Sequence, residues 1–507
     1  MSAVPARQTT QPRGEDANSA DRVREDESRL AWAGVLSSRL LLPVILLVAF
    51  ALYAPTLDDW FFADDFWFLR SSQATPMGEY VAEAFDFRQT GTSPELDRYR
   101  PLYPVVWRLM YSAFGQDALG YHALLVALHL GCTVLVWFIA FRLIKLTWAA
   151  NLAALIFAVH PVYTDAVAWI SGGNRLLVTF PYLLCLLLFM RYADGKGRRG
   201  ACYLGSFLAF LTAILLHSTA LTLAVVLPAY AFLVAGRPAE SLRARSWIRF
   251  APFAAASLAL IGIQVWVRTH LGVEESFRFG WHQYGNYGHY LGMALFPVFP
   301  VNIERFADPL PPLLSALEGV ASVAMILTTV VLLTQRRWPY LGLFIVLWLY
   351  VSLLPDSTLT MGAYGRTLYM SGASLAIFFV VALLYLKETL PASLLRLGTR
   401  AAPFLVMAVL VPTALLALHH IRGLGEDAAE NEAFITQLRR SVPRLDPQAV
   451  LYVVRSPRNL TVFDDTRLDA LVELYYGEVE VRSLSVAEAA EMEASPAGEY
   501  RIFRFGP

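Results

Sequence analysis

The chain has 507 residues, 56% hydrophobic and only 16% charged, and its apolar residues come in long unbroken runs, which excludes an ordinary soluble domain and points to the bilayer. Lys plus Arg and Asp plus Glu are both 41, so no basic excess points to nucleic acid as a partner. The three cysteines, Cys132, Cys185 and Cys202, lie in or beside apolar runs without CxxC spacing and read as small core residues, not zinc ligands or a disulfide framework.

Residues 1–33 are rich in Arg, Glu, Asp, Ser and Gln and lack an apolar stretch ending in a small-residue cleavage site. They are expected to be a disordered cytoplasmic tail. Runs long enough to cross ~30 Å of hydrocarbon follow near 34–54, 118–143, 147–163, 173–191, 200–217, 219–235, 250–268, 313–334, 339–355, 367–386 and 401–420. The fold class is therefore an α-helical polytopic membrane protein of about eleven spanning helices. Basic residues cluster at Arg142 and Lys145, between Arg191 and Arg199, between Arg237 and Arg249, at Arg336 and Arg337, and between Lys387 and Arg400. By the positive-inside rule these turns are cytoplasmic.

The apolar stretch from Tyr290 to Pro300 is broken by Pro297 and Pro300 and is too short to span. A crossing there would turn Arg336 and Arg337 outward, so it is expected to be re-entrant or interfacial on the outer side. The parity that remains puts the N-terminus in the cytoplasm and the C-terminus outside a cell (inner or plasma) membrane. Two hydrophilic regions then face outward: a first loop over 55–117 and a tail over 423–507. The expected domains are thus 1–33, a membrane domain over 34–422, and a small extracytoplasmic α/β domain over 423–507. In that last domain strand-like segments at Val450–Val454, Val479–Leu484 and Tyr500–Phe505 alternate with helix-like ones. Gly423 and Gly425 read as its hinge.

Ionisable residues converge on the outer face. Asp58, Asp59, Asp64 and Asp65 follow the first span, and Arg100 lies later in the same loop. His160 and Asp165 bracket the second outward turn, Arg175 opens the fourth span, His217 sits between the fifth and sixth, and Asp356 and Arg366 flank the last short outer loop. His129 reads as a hydrogen-bonded bundle histidine, Glu318 as half of an interhelical pair, and Trp60, Phe61, Phe62, Trp67 and Phe68 as an interfacial aromatic belt. Adjacent carboxylates among aromatics carry more chemistry, because water exclusion raises a carboxylate's pKa toward that of a general base. One of the two could take a proton while the other orients the acceptor or holds a cation.

Two stretches carry a family resemblance. One is Tyr99-Arg100-Pro101-Leu102, followed by Leu119-Gly120-Tyr121-His122 and Leu128-His129-Leu130. The other runs from His160-Pro161-Val162-Tyr163-Thr164-Asp165 through Trp169-Ile170-Ser171-Gly172. In this order, after Ala63-Asp64-Asp65, they resemble the membrane part of the transmembrane O-mannosyltransferases that carry tetratricopeptide repeats, and of their bacterial relatives, within the GT-C superfamily. Tyr364-Gly365-Arg366-Thr367-Leu368-Tyr369 is similar to a further family segment before a late span. Asp165 stands where relatives usually have Glu, and Gly173-Asn174-Arg175 departs from their basic-then-acidic pattern. The α/β segment stands in place of the repeats.

The resemblance implies an integral membrane glycosyltransferase that moves a sugar from a polyprenyl-phosphate donor to an extracytoplasmic acceptor (glycan, lipid or protein), with inversion. Asp64 and Asp65 take the acidic-motif positions and are the expected catalytic residues. Arg100, His160, Asp165, Arg175 and Arg366 are the expected donor-phosphate and substrate contacts. No cofactor is implied, and a divalent cation at the acid pair is left open. The partners are the polyprenyl-phosphate-linked sugar, its acceptor and membrane lipid. A transporter or lipid flippase, which would carry ionisable groups near the bilayer midplane, is the rival class, with an inactive GT-C-like scaffold as a third reading.

Overall fold

The computed structural model describes residues 38–506, apart from 94–95, 97, 196–197, 237–242, 272–277, 297–301, 305–311, 335–338, 361, 390–391, 446–449, 458–459, 461–465 and 495–499. The expected N-terminal tail lies outside the described residues. Among them, nine helices are long and apolar enough to cross a membrane, or ten when a bent pair is taken as one span. The chain is a multi-pass membrane protein.

In chain order the helices are α1 (Leu41–Tyr53), α2 (Asp65–Ala74), α3 (Met77–Phe85), α4 (Leu102–Phe114), α5 (Ala118–Ile144), α6 (Thr147–Val159), α7 (Thr164–Ala168) and α8 (Asn174–Ala193). There follow α9 (Arg199–Leu216), α10 (Leu223–Ala229), α11 (Ala251–Leu271), α12 (His282–Leu295), α13 (Pro312–Thr334), α14 (Pro339–Ser357), α15 (Leu368–Thr389), α16 (Ala392–Ser441), α17 (Thr466–Tyr476) and α18 (Val486–Ala494).

Local chemistry sets the breaks. Asp117 caps α5, its carboxylate accepting from the Leu119 N–H at 3.1 Å, and Lys145 ends that helix in the left-handed region at φ 65°. Pro161 has no N–H to continue α6 and disfavours a helical residue before it, so His160 is extended and the chain bends by 50° into the Pro161–Ala168 segment. The stretch from Gly365 to Leu386 is the most enclosed of the spans, with 83% of its apolar window buried, and forms the centre of the bundle.

The short element expected over Tyr290–Pro300 overlaps the end of α12; Pro297 and Pro300 lie outside the described residues. Helix α12 starts earlier, at His282, and is fourteen residues and about 21 Å long at 1.5 Å per residue, too short for the hydrocarbon layer. It packs against the end of α14: Asn286 Nδ2 donates to the Ser357 and Leu359 carbonyls at 2.8 and 2.7 Å, and Tyr290 Oη donates to the Asp356 carbonyl at 3.2 Å. A short antiparallel pairing of β1 (Asn302–Glu304) with β2 (Gly362–Tyr364) ties the chain after α12 to the same corner.

Helix α16 runs for 50 residues, about 75 Å at helical rise, and includes residues 401–420, expected as a span but not among the nine or ten counted in the described residues. It is continuous through Gly423 and Gly425, so the hinge expected there does not form. Gly425 instead allows close approach: a Cβ there would come within 2.6 Å of Asp59 Oδ1. Beyond α16 lie β3 (Val450–Val454), β4 (Glu480–Leu484) and β5 (Tyr500–Arg504), a parallel sheet in the order β4-β3-β5. Parallel neighbours need crossovers, which α17 and α18 supply. Leu451, Val453, Leu468, Leu471 and Phe503 form its buried core.

Candidate active site

The first loop is built around a strained turn. After α1 a 3-10 turn (Ala54–Asp58) leads through Asp59, Trp60, Phe61 and Phe62 to Ala63, which sits at φ 53°. A left-handed conformation is uncommon for a residue with a Cβ and costs on the order of 1 kcal/mol, so surrounding contacts must hold it. They do: Phe62, Ala63 and Ala428 of α16 pack together, with Trp60, Trp169 and Leu424 against them. The turn delivers Asp64 and Asp65 to the start of α2.

The two carboxylates then part company. Asp65 is fully buried, its Oδ2 accepting from the Phe62 N–H at 3.1 Å and its Oδ1 from the Ser171 N–H at 2.8 Å. It closes its own turn and staples the first loop to the second. Burial pushes its carboxyl up to about 7, against the pull of those donors. Asp64 is the accessible member, with a side chain 26% exposed, and its Oδ1 accepts from Arg467 Nε at 2.6 Å.

Phe61, Phe62 and Phe68 are buried, so the expected aromatic belt is not formed by this run. Phe62 packs on Trp169 (centroids 5.4 Å apart), and Phe68 stacks on Trp107 (4.9 Å). These rings fill the space between loops, where adjacent helices rather than lipid cover them. The indole N–H groups of Trp67 and Trp169 are buried beside the acid pair without a hydrogen-bond partner.

The cations come from three loops. Arg366 lies over both Trp169 (5.0 Å) and Tyr364 (4.7 Å), and through Trp169 it is brought beside Phe62 and the acid pair. Arg100 lies over Tyr103 at 5.0 Å, and the Tyr103 hydroxyl donates to the Ser171 carbonyl at 2.8 Å. Arg175 pairs with Asp356 at 2.8 Å, both side chains almost fully buried. His217 is kept neutral by burial first and then by the charges of Arg175, Arg100 and Arg98, which gather around it.

His160 and Asp165 have structural partners. His160 Nε2 donates to the Ala294 carbonyl of α12 at 3.0 Å while its Nδ1 accepts from the Val162 N–H at 3.3 Å. Both ring nitrogens therefore serve the loop. Asp165 is buried and accepts from His420 Nε2 of α16 at 2.6 Å. His420 and Arg467 were not legible as site residues, since each meets its partner across more than 250 residues of chain. Among the described residues no group of three or more His, Cys, Asp or Glu forms a metal-ligand set.

Contacts through Ser171, Tyr103, Phe62 and Trp169 thus link Asp65 to Arg100 and Arg366, while His160 and Asp165 are held by Ala294 and His420. His129 and Glu318 fall as expected: His129 bonds the Tyr369 hydroxyl (2.7 Å) and the Ala158 carbonyl (3.0 Å), and Glu318 pairs with His289 at 2.8 Å.

No family model matches the chain. It is 34% identical over 179 residues to protein O-mannosyl-transferase Tmtc1 of Drosophila melanogaster, which covers 34% of this chain and 21% of that protein. The chain resembles the TMTC O-mannosyltransferases. Human TMTC4 is 31% identical over 141 residues, covering 25% of this chain and 19% of its own length. The chain thus matches about a fifth of the length of these relatives. Among solved structures it is similar to the Archaeoglobus fulgidus oligosaccharyltransferase (TM-score 0.48, 12% identity, 87% of this chain and 62% of that one). It is also similar to ArnT from Cupriavidus metallidurans bound to undecaprenyl phosphate (TM-score 0.46, 15% identity, 93% of this chain and 90% of that one).

Proposed function

We propose that this protein transfers a sugar from a polyprenyl-phosphate carrier to a hydroxyl acceptor on the outer face of the membrane, with inversion at the anomeric carbon. The observation that carries the reading is the division of the acid pair. A buried Asp65 fixes the turn through two backbone N–H groups while Asp64 stands accessible beside it. That division suits a base and its support. The resemblance to O-mannosyltransferases supports a glycosyl donor.

In this mechanism Asp64 accepts the acceptor's proton as the acceptor oxygen attacks the anomeric carbon from the side opposite the phosphate. The bond from that carbon to the phosphate oxygen breaks, and its electron pair stays on the phosphate. Charge grows there in the transition state, so cations are needed more at that moment than before it. Arg366, held between two rings, and Arg100, on Tyr103, are the groups to meet it. Phosphate leaves without a proton, so no partner acid is assigned, unlike glycoside hydrolysis.

Sugar nucleotides are cytoplasmic, so a site at the outer end draws on a flipped lipid-linked donor. Comparing cell-envelope glycans of a deletion strain with its parent by mass spectrometry tests the reading. The strain should lack one sugar from one glycan, and complementation should restore it. Identical envelopes would contradict a transferase.

A further inference from the structure

The C-terminal unit reaches the acid pair directly. Helix α17 lies along α2, and two ion pairs join them: Arg467 Nε to Asp64 Oδ1 at 2.6 Å, and Arg70 Nη1 to Glu473 Oε2 at 2.8 Å. The acid and base of the first segment and the base and acid of the second are both six residues apart, so the pairs match only when the helices run parallel in this register. A slip by one helical turn would break both. Arg467 is further fixed by the Trp67 ring, 5.3 Å from its guanidinium carbon, and its side chain is 12% exposed. Arginine suits such a position, since its planar group stacks on an indole and donates to a carboxylate at once.

We propose that Arg467 is a positioning residue of the transfer site: the C-terminal unit supplies the cation that orients Asp64 and keeps it ionised. The site is then shared between the membrane unit and the C-terminal unit. This inference rests on the reading of Asp64 as base. Besides Arg467, Asp65 beside it and the Tyr103 phenol of α4 interact with the charge of Asp64. Both of these oppose a negative charge on Asp64 when ionised themselves, whereas the Arg467 guanidinium in contact with it favours that charge. A guanidinium in contact lowers a carboxylate's pKa by about 1–3 units. Without it, the balance at Asp64 moves toward the protonated acid, which cannot take the acceptor's proton.

The test uses full-length variants in the deletion strain and measures how fast the missing glycan returns after induction, at medium pH values from 5.5 to 8. Arg467→Gln should slow the return most at the acid end and approach the parent rate at the alkaline end. Its acid limb moves up by about 1–2 pH units, the shift expected when a contacting cation is lost. Arg467→Lys, which keeps the charge, should recover much of the loss. Glu473→Gln, which loosens the same docking without removing the cation from Asp64, should keep the parent's pH profile. Immunodetection and melting in detergent check that each variant accumulates folded.

A parental profile in Arg467→Gln would overturn the inference. So would an equal loss at every pH matched by Glu473→Gln, which makes the pair a docking contact. Faster return would make Arg467 a restraining cap instead. If Asp64→Asn itself restored the glycan at the parent rate, the base reading would fall and this inference with it. An inactive Asp64→Asn beside a parental Arg467→Gln would remove the inference alone.

Discussion

The Ser171 N–H donates to Asp65 Oδ1 at 2.8 Å, joining two loops that lie 106 residues apart in the chain. The two helices between those loops, α5 and the bent α6, must therefore leave that end of the bundle and return to it. The bond ties Asp65 into the structure, and on the proposed mechanism the chemistry falls to Asp64.

Asp65→Asn should lower stability, since one amide edge now presents a donor to a backbone N–H and leaves it unsatisfied, at about 1–3 kcal/mol. The parent's advantage over this variant should depend on pH. Burial raises Asp65 in the folded state to about 7 from 3.8 in the unfolded chain, so between those values the folded state holds the extra proton. The stability that proton contributes is full below about 4 and is lost as pH rises through about 7. Detergent melting curves should therefore show the gap between parent and Asp65→Asn shrinking from pH 5 to pH 8. A gap that widens would reverse the sign.

Arg175 and Asp356 separate folding from function. Removing one member of a buried ion pair leaves an uncompensated charge and typically costs about 3–5 kcal/mol, whereas replacing both by apolar residues is often neutral. Arg175→Met should therefore melt well below the parent. The double variant Arg175→Met, Asp356→Leu should regain most of the loss. If the arginine also meets the donor phosphate, the double variant will fold yet fail to restore the glycan; full restoration would confine the pair to structure.

The two glycines of α16 should respond oppositely to alanine. Gly423 has open space around it, so Gly423→Ala should stabilise the helix by up to about 1 kcal/mol. At Gly425 the new methyl would collide with Asp59, so Gly425→Ala should displace the first loop and slow transfer. Melting and glycan restoration measured on both variants check this. Equal behaviour would contradict the close approach of α16 to the acid loop.

Sidedness can be read with single cysteines, because the native Cys132, Cys185 and Cys202 are buried. Thr92→Cys and Glu478→Cys, both at exposed positions, should react with an impermeant maleimide in intact cells. Arg198→Cys, exposed at the opposite end, should react only after permeabilisation. The reverse pattern would invert the topology.

Much of the fold was legible because the bilayer imposes length and composition on each span, and the runs at 118–143 and 367–386 became helices with nearly the same ends. The strand at Val450–Val454 was legible from its β-branched run. So were the strands expected at Val479–Leu484 and Tyr500–Phe505, but not the order in which the three pair, since that depends on crossovers. At the site, adjacency in sequence marked Asp64 and Asp65, but their division depends on the left-handed turn at Ala63, for which no residue-type signal exists. Gly425 looked like a hinge because glycine lowers helix propensity; its use is to admit Asp59. The Trp60–Phe68 run looked like a membrane belt because aromatics at a span end usually are one. Here the second loop and α16 fold over it and bury it.

The central claim is that Asp64 is the base, and Asp64→Asn tests it most directly because the amide keeps the size and acceptor oxygen of the carboxylate without its basicity. The measurement is the rate of glycan restoration by this variant in the deletion strain, with its folded amount determined by melting in detergent. Base catalysis typically contributes ~10²–10⁴ in rate, so restoration should slow by at least about a hundredfold while the melting temperature stays near the parent's. Restoration at the parent rate by stably folded Asp64→Asn would contradict the account.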